Sequence, residues 1–289
     1  MPQIIMHVNY CEQGQTIEEM CRKAVEWGYD GIEFRSKRTG VNEEPEAYLD
    51  EIASAVSRSG LKMVLFGGPG PNLMTADAKT REQEIEAAAK FYRLAAERFQ
   101  LTVCNTLAGG LRNPDPEVKG SDYDKHGSFA ATEEHWQYAA EGFKVLGKLA
   151  EELGFRLAFE THMNYIHDLP AAAKKLVDMV GSPAVGVNFD YGNAVHFKKP
   201  PELKSSILEM GDKLYYVHLK NSIAVGDGKR AAVGLGDGEI NHRIYLKVLK
   251  ESGYNGPICI EAPRPGDREW YAQQDIAYLK ALLKDLNWN

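Results

Sequence analysis

Cysteine is scarce and scattered in this chain of 289 residues: Cys11, Cys21, Cys104 and Cys259 include no Cys-x-x-Cys pair. That spacing speaks against a disulfide framework and a thiolate metal site, and for reduced thiols in a cytoplasmic protein. No apolar stretch approaches the ~18–20 residues a membrane span needs, so no membrane partner is expected. The opening MPQIIMHVNY enters a strand-like run at once. It lacks the basic segment, apolar core and small-residue cleavage site of a secretory leader. Gly226-Asp227-Gly228-Lys229-Arg230 does not have P-loop spacing, and Gly234-x-Gly-x-Gly follows a long loop, so a dinucleotide fingerprint is rejected too. Positive charge is in deficit, with 34 Lys and Arg against 41 Asp and Glu and a net charge of −7. Such a chain repels polyanions on average, which argues against nucleic acid as its partner. Linkers, low-complexity tracts and sequence repeats are also missing, so a single domain over 1–289 is expected.

What is present is an ordinary globular composition, 44% hydrophobic and 26% charged, arranged as strand-like runs alternating with helix-like stretches. Strands are predicted over 3–10, 31–36, 62–68 and 102–109, then over four further apolar runs in the second half of the chain. Helices are predicted from the Thr16–Glu19 capping box to Gly28, and at about 45–59, 77–99, 132–153, 169–181, 200–211, 241–252 and 268–286. Apolar stripes such as Ile85, Ala88, Ala89, Tyr92, Ala96 and Phe99 keep helical spacing and read as core. Strict alternation of eight strands with eight helices argues for parallel strands with crossover helices. The length suits their closure into an α/β (β/α)8 TIM barrel, with a doubly wound open sheet as the alternative.

Each of the last four strand runs ends in one metal-binding side chain. Arg156-Leu157-Ala158-Phe159 leads into Glu160, Ala184 to Phe189 into Asp190, Leu214-Tyr215-Tyr216-Val217 into His218, and Pro257-Ile258-Cys259-Ile260 into Glu261. If these four point inward, strand alternation turns Ala158, Gly186, Tyr216 and Cys259 inward as well. Phe159, Val187, Phe189, Val217, Ile258 and Ile260 then face the helices. Barrels carry their functional side chains at the C-terminal strand ends. One such residue alone is as well explained by a strand-end salt bridge. Converging carboxylates, however, are costly to bury without a cation. An oxygen-rich set of three carboxylates and an imidazole suits one divalent ion, Mn²⁺ or Mg²⁺ first, with Co²⁺ and Zn²⁺ as further candidates.

At these residues the chain resembles the xylose isomerase-like superfamily of sugar isomerases and epimerases, which also includes endonuclease IV-type enzymes. The resemblance is carried by Phe159-Glu160-Thr161-His162, Asn188-Phe189-Asp190-Tyr191-Gly192-Asn193, Val217-His218-Leu219-Lys220, the run from Gly234 to Ile240, and the run from Gly253 to Glu261. It implies that Glu160, Asp190, His218 and Glu261 are the metal ligands. By likeness to the ketose 3-epimerases, it also implies that Glu160 and Glu261 move a proton α to a carbonyl through an enediolate. Arg230, four residues before Gly234, stands near where those epimerases carry an oxyanion-contacting arginine, with a solvated loop arginine as the competing reading.

Two departures separate this chain from the ketose epimerases. Six residues after Glu160 they carry another glutamate where this chain has Ile166, followed by His167; three after Asp190 they carry a histidine where this chain has Asn193. His162 and Asn193 are the substrate contacts expected instead, while His196 is expected at the surface. Glu33 and Arg35 share the inner face of strand two and read as an internal ion pair. Asn9 and Asn105 read as polar contacts near the mouth. Loops at 67–72, 109–129 and 221–240 are placed to cover it. The expected function is a metal-dependent isomerase or epimerase of a sugar, keto-sugar or related polyol. The alternative is a lyase on the same centre, a dehydratase or keto-glycoside deglycosidase. An endonuclease IV-like repair enzyme needs more histidines than these strand ends supply, and a non-catalytic sugar-binding barrel is the remaining competitor. The expected partner is a small carbohydrate, and the resemblance implies that exposed barrel helices form a homo-oligomer, dimer or tetramer.

Overall fold

The structure is a computed structural model that describes residues 1–67, 70–226 and 228–288. Gly68 and Pro69, within the 67–72 loop, and Asp227, within the 221–240 loop, lie outside the described residues. Seven parallel strands come in chain order: β1 (Ile4–His7), β2 (Gly31–Arg35), β3 (Met63–Gly67), β4 (Val103–Thr106), β5 (Arg156–Glu160), β6 (Val185–Asp190) and β7 (Leu214–Leu219). A hairpin of β8 (Asn221–Gly226) and β9 (Lys229–Val233) follows, pairing antiparallel outside the main sheet. Then β10 (Ile258–Ile260) pairs with both β7 and β1 and closes an eight-stranded barrel. The expected (β/α)8 architecture is therefore the observed one, and the open sheet is excluded.

The connecting helices are α1 (Ile17–Trp27), α2 (Pro45–Ser59), α3 (Ala78–Arg98), α4 (Glu133–Leu153), α5 (Pro170–Val180), α6 (Tyr191–Ala194), α7 (Leu203–Met210), α8 (His242–Glu251) and α9 (Arg268–Asp285). The capping box forms as the sequence predicts. The Glu19 N–H donates to Thr16 Oγ1 at 3.2 Å, and the Thr16 N–H donates to the Glu19 carboxylate at 2.8 Å. Strand one is shorter than expected. After His7 the chain turns into a 3₁₀ segment, Val8–Cys11, so Asn9 leaves the sheet and hangs over the barrel mouth.

Two apolar layers form. Between sheet and helices lies the main core, where Phe143 of α4 meets Phe159 of β5 edge-to-face at 4.5 Å, and Phe66 of β3 meets Phe91 of α3 at 5.2 Å. Inside the barrel lies a smaller cluster that includes Ile5, Leu65, Val103, Ala158, Tyr216 and Cys259. The alternation read from the sequence holds at Ala158, Tyr216 and Cys259. This inner plug stops one layer short of the C-terminal rim, where the inward positions turn polar.

Loops on that rim are pinned by buried polar groups. His167 Nε2 accepts the Ala108 N–H at 3.0 Å, and its Nδ1 lies 2.7 Å from the Glu160 carbonyl oxygen. The rings of Phe159 and Tyr165 stack on it at 5.2 and 5.6 Å. Gly110 bridges to Tyr165, and the Ser128 N–H donates to Asp168 Oδ2 at 3.0 Å, so the 109–129 loop is tied to the segment after β5. His242 is likewise buried, with Nδ1 at 2.9 Å from the Leu235 carbonyl oxygen. Burial pushes both imidazoles down to about 4. Their neutral forms favour the fold above the ordinary histidine value, ~6.5, and that contribution is lost as pH falls toward 4. Denaturant midpoints measured from pH 7 to pH 4 are expected to drop, and less steeply in a His242→Gln variant.

Candidate metal centre and active site

Four strands deliver one donor each to a single point above the inner plug. One ligand atom from each of Glu160, Asp190, His218 and Glu261 lies within 4.8 Å of the other three. Register explains the convergence: Glu160 of β5 pairs with Asn188 of β6, and Asp190 pairs with His218 of β7. Glu261 follows β10, its N–H donating to the Leu219 carbonyl at 2.9 Å. Local sequence holds the strand ends in place. Thr161 Oγ1 accepts the Asp190 N–H at 2.9 Å, and Asp190 caps α6 by accepting the Asn193 N–H at 3.1 Å.

Amides orient the first glutamate. Asn105 Nδ2 donates to Glu160 Oε2 at 2.8 Å, and Asn193 Nδ2 donates to Glu160 Oε1 at 3.0 Å. Across the site, Glu261 Oε2 lies 3.0 Å from His218 Nδ1, and Glu261 Oε1 accepts from Asn9 Nδ2 at 3.4 Å. Asn9 and Asn105 are thus the polar contacts near the mouth that the sequence suggested. Asn193 reaches the cluster, joined to Glu160 and to Lys220, whose Nζ is 3.3 Å from Asn193 Oδ1.

Lys220 was not singled out by its sequence. Its ammonium lies 2.7 Å from Asp190 Oδ2 and 3.0 Å from Glu261 Oε2. The signal was there in the parity of β7, since the second residue after His218 returns to the inner face. Room for its stem comes from Gly192, where a Cβ would fall on Lys220 Cγ and within 3.0 Å of Asp190 Oδ1. The glycine of Asp190-Tyr191-Gly192-Asn193 therefore serves a close approach.

Charge crowding is evident in the titration of these groups. Burial pushes the Asp190 carboxyl up to about 6, with Glu160 and Glu261 adding to the rise and Lys220 opposing it. Burial acts the same way on Glu261, but Lys220, His7 and His218 outweigh it and hold that carboxyl well below the usual range. Burial lowers His218, yet Glu33, Glu261 and Glu160 raise it well above an ordinary histidine.

Two other expectations, for the Glu33–Arg35 pair and for His196, are corrected. Glu33 and Arg35 do not pair: the Arg35 guanidinium turns to the rim and binds Glu12 at 2.8 and 3.0 Å. Glu33, one layer deeper, meets His218 and Tyr216 instead. His196 is half-buried rather than on the surface, and burial beside Arg230 and Lys220 pushes its imidazole down to about 4. His162 is half-buried, with Nδ1 3.0 Å from the Met163 carbonyl and its ring edge-on to Tyr165. Arg230 stands on β9, where its Nε donates to Ser222 Oγ at 2.7 Å and its Nη2 to Glu239. A cavity of about 250 Å³ opens beside the four donors, lined by His196, Lys220, Ser222, Arg230 and Glu261 among others. Ile166, by contrast, is fully buried in the main core and has no access to it.

The xylose isomerase-like TIM barrel family model matches residues 21–282. An inosose dehydratase of Clostridium perfringens is 29% identical over 150 residues, 47% of this chain and 50% of that protein. The chain thus matches this curated relative over about half of the relative's length. Among solved structures, a 3-keto-D-glucoside 4-epimerase from E. coli superposes with a TM-score of 0.74 at 17% identity, covering 97% of this chain and 100% of that one. A Mycobacterium smegmatis protein of xylose isomerase-like TIM barrel type, in complex with magnesium, gives 0.74 at 20% identity, covering 99% and 98%. Identities this low speak to the fold alone. With the family model spanning most of the closed barrel, this chain belongs to the xylose isomerase-like TIM barrel family.

Proposed function

We propose that this chain is a divalent-metal-dependent isomerase or epimerase, acting on a sugar, keto-sugar or related polyol by proton transfer α to a carbonyl. The observation that carries the reading is the convergence of Glu160, Asp190, His218 and Glu261 within 4.8 Å beside a cavity of about 250 Å³. The donor set fits one hard divalent cation: it offers three carboxylates and an imidazole, and the buried Asp190 Oδ2 already draws a positive charge, the Lys220 ammonium at 2.7 Å. Mn²⁺ and Mg²⁺ suit that set best, and a cytoplasmic setting fits the unpaired thiols.

When bound there, the ion supplies Lewis acidity to the carbonyl and hydroxyl oxygens of the substrate. The protein groups do the rest. Glu160, held between the amides of Asn105 and Asn193, and Glu261, approached by Asn9 and Lys220, stand on either side of the donor cluster. One removes the proton α to the carbonyl and the other returns a proton to the enediolate. Arg230 and His196 close the outer wall of the cavity, where they contact the substrate's distal oxygens.

A lyase outcome is the second reading, and two observations favour it. The glutamate of the ketose epimerases is replaced by Ile166, which is sealed in the core, and the curated relative is a dehydratase. Both reactions begin with the same proton removal, so product analysis in D₂O separates them. A ketose, keto-glycoside and inosose panel with Mn²⁺ is expected to give an isomeric product carrying one solvent deuterium. An unsaturated or aglycone product would establish the lyase instead, and no turnover with any metal would overturn both.

A further inference from the structure

Beneath the four donors lies a carboxylate that belongs to neither the ligand set nor the cavity wall. Glu33 of β2 is 0% exposed. Its Oε2 is 2.8 Å from His218 Nε2 and accepts the Tyr216 hydroxyl at 2.6 Å. Its Oε1 lies 3.4 Å from Asn105 Nδ2, and the same amide donates to Glu160 Oε2 at 2.8 Å. Gly67 of β3 makes the space, since a Cβ there would sit 2.8 Å from Glu33 Oε1. A single buried carboxylate therefore touches His218 directly and Glu160 through one amide.

The geometry decides how His218 is presented. Glu33 faces Nε2 and Glu261 faces Nδ1, so each nitrogen has a carboxylate acceptor; a cation held by Glu261 would take the place of the Nδ1 proton and leave the N–H on Nε2, toward Glu33. The ring is then fixed with Nδ1 toward Glu261 Oε2 at 3.0 Å and Glu160 Oε1 at 4.0 Å. In the tautomer protonated at Nε2, the lone pair sits on Nδ1 and points into the donor cluster, which is where a cation needs it. Tyr216 and His218 are two apart on β7, so both reach the same Glu33 oxygen from the same face.

We infer that Glu33 is a positioning residue that sets His218 to offer Nδ1 to a divalent cation, with Tyr216 holding Glu33 in place. This inference rests on the proposal that the four strand-end residues bind a metal. Glu33 does not touch the ion or the substrate. It acts by fixing the tautomer and rotation of one ligand and, through Asn105, the orientation of another.

The test is Mn²⁺ titration calorimetry on the full-length wild type, Glu33→Gln and Tyr216→Phe proteins, with circular dichroism to confirm the fold. Glu33→Gln preserves shape but removes the charge that enforces the Nε2 proton. It is expected to weaken Mn²⁺ binding about 10- to 100-fold at unchanged stoichiometry, as outer partners of histidine ligands commonly do. Tyr216→Phe is expected to weaken it less, in the same direction, and keeps the test alive should Glu33→Gln fail to fold. Nitrogen-15 shifts of the Mg²⁺-loaded wild type are expected to report His218 protonated at Nε2. A wild type that binds while both variants bind within about twofold of it would overturn the role of Glu33 alone, because loss of an orienting partner is worth tenfold or more. A wild type that binds no ion would overturn the metal reading and this inference together.

Discussion

Glu160→Gln and Glu261→Gln are each expected to lower turnover by about 10²- to 10⁴-fold, the range of a lost general acid or base. Glutamine keeps the shape and the hydrogen-bond reach of the side chain but cannot take up a proton. At Glu160 the amides of Asn105 and Asn193 both donate, so a glutamine amide turned toward either meets a donor with a donor. At Glu261 the Lys220 ammonium is 3.0 Å away and would keep only Asp190 as its counter-charge. Because both residues also belong to the donor cluster, rates should be compared at saturating Mn²⁺. Exchange of the substrate α-proton with solvent is the sharper readout. Under the isomerase reading both variants lose exchange, whereas retention of exchange in one of them would remove that residue from the proton-transfer pair.

Adding a divalent ion is expected to raise thermal stability, and chelation to lower it. The site crowds three carboxylates around one point, and burial first, with Glu160 and Glu261 adding to it, raises the Asp190 carboxyl to about 6. Lys220 offsets part of it by pairing with Asp190 and Glu261. An ion bound only by the folded state adds about 2.7 kcal/mol at a concentration 100 times its Kd. A thermal scan with and without Mn²⁺ should therefore show a rise of several degrees in wild type. In Asp190→Ala a donor is lost, so the variant should gain little from the ion and lose little on chelation. An equal gain in wild type and Asp190→Ala would place the ion elsewhere.

Much of the fold was legible because the signals are local. Alternating strand and helix periods, the Thr16–Glu19 capping box and the glycines after α1, α2, α4 and α5 each mark an element on their own. The β8–β9 hairpin was not legible. Its Ile223 and Val225 are exposed, so the strands lack the buried face that gives alternation its meaning. The short helix α6 is one turn long and carries no periodic pattern.

At the site, the meeting of Glu160, Asp190, His218 and Glu261 follows from their places at the ends of four neighbouring strands, which sequence patterns report, with the register stepping by two from Glu160 to Asp190 and from His218 to Glu261. Partners across the barrel do not follow. Glu33 and Arg35 share a face, so pairing them was the economical reading. Two residues along a strand is about 6.6 Å, enough to put Glu33 beneath His218 and Arg35 at the rim beside Glu12. Lys220 was hidden for another reason: a lysine after a strand end usually points to water, and only Gly192 on a different segment lets this one fold back. His196 was misjudged because its burial comes from packing against Tyr123 of the long 109–129 loop, at 5.9 Å.

The central claim is that four strand-end side chains hold one divalent ion, and its most direct measurement is the binding stoichiometry of Mn²⁺ to metal-stripped protein, wild type against Asp190→Asn. One ion per wild-type chain, and binding strongly weakened in the variant, is the result expected here. No binding to the wild type, or the same affinity in both proteins, would contradict it.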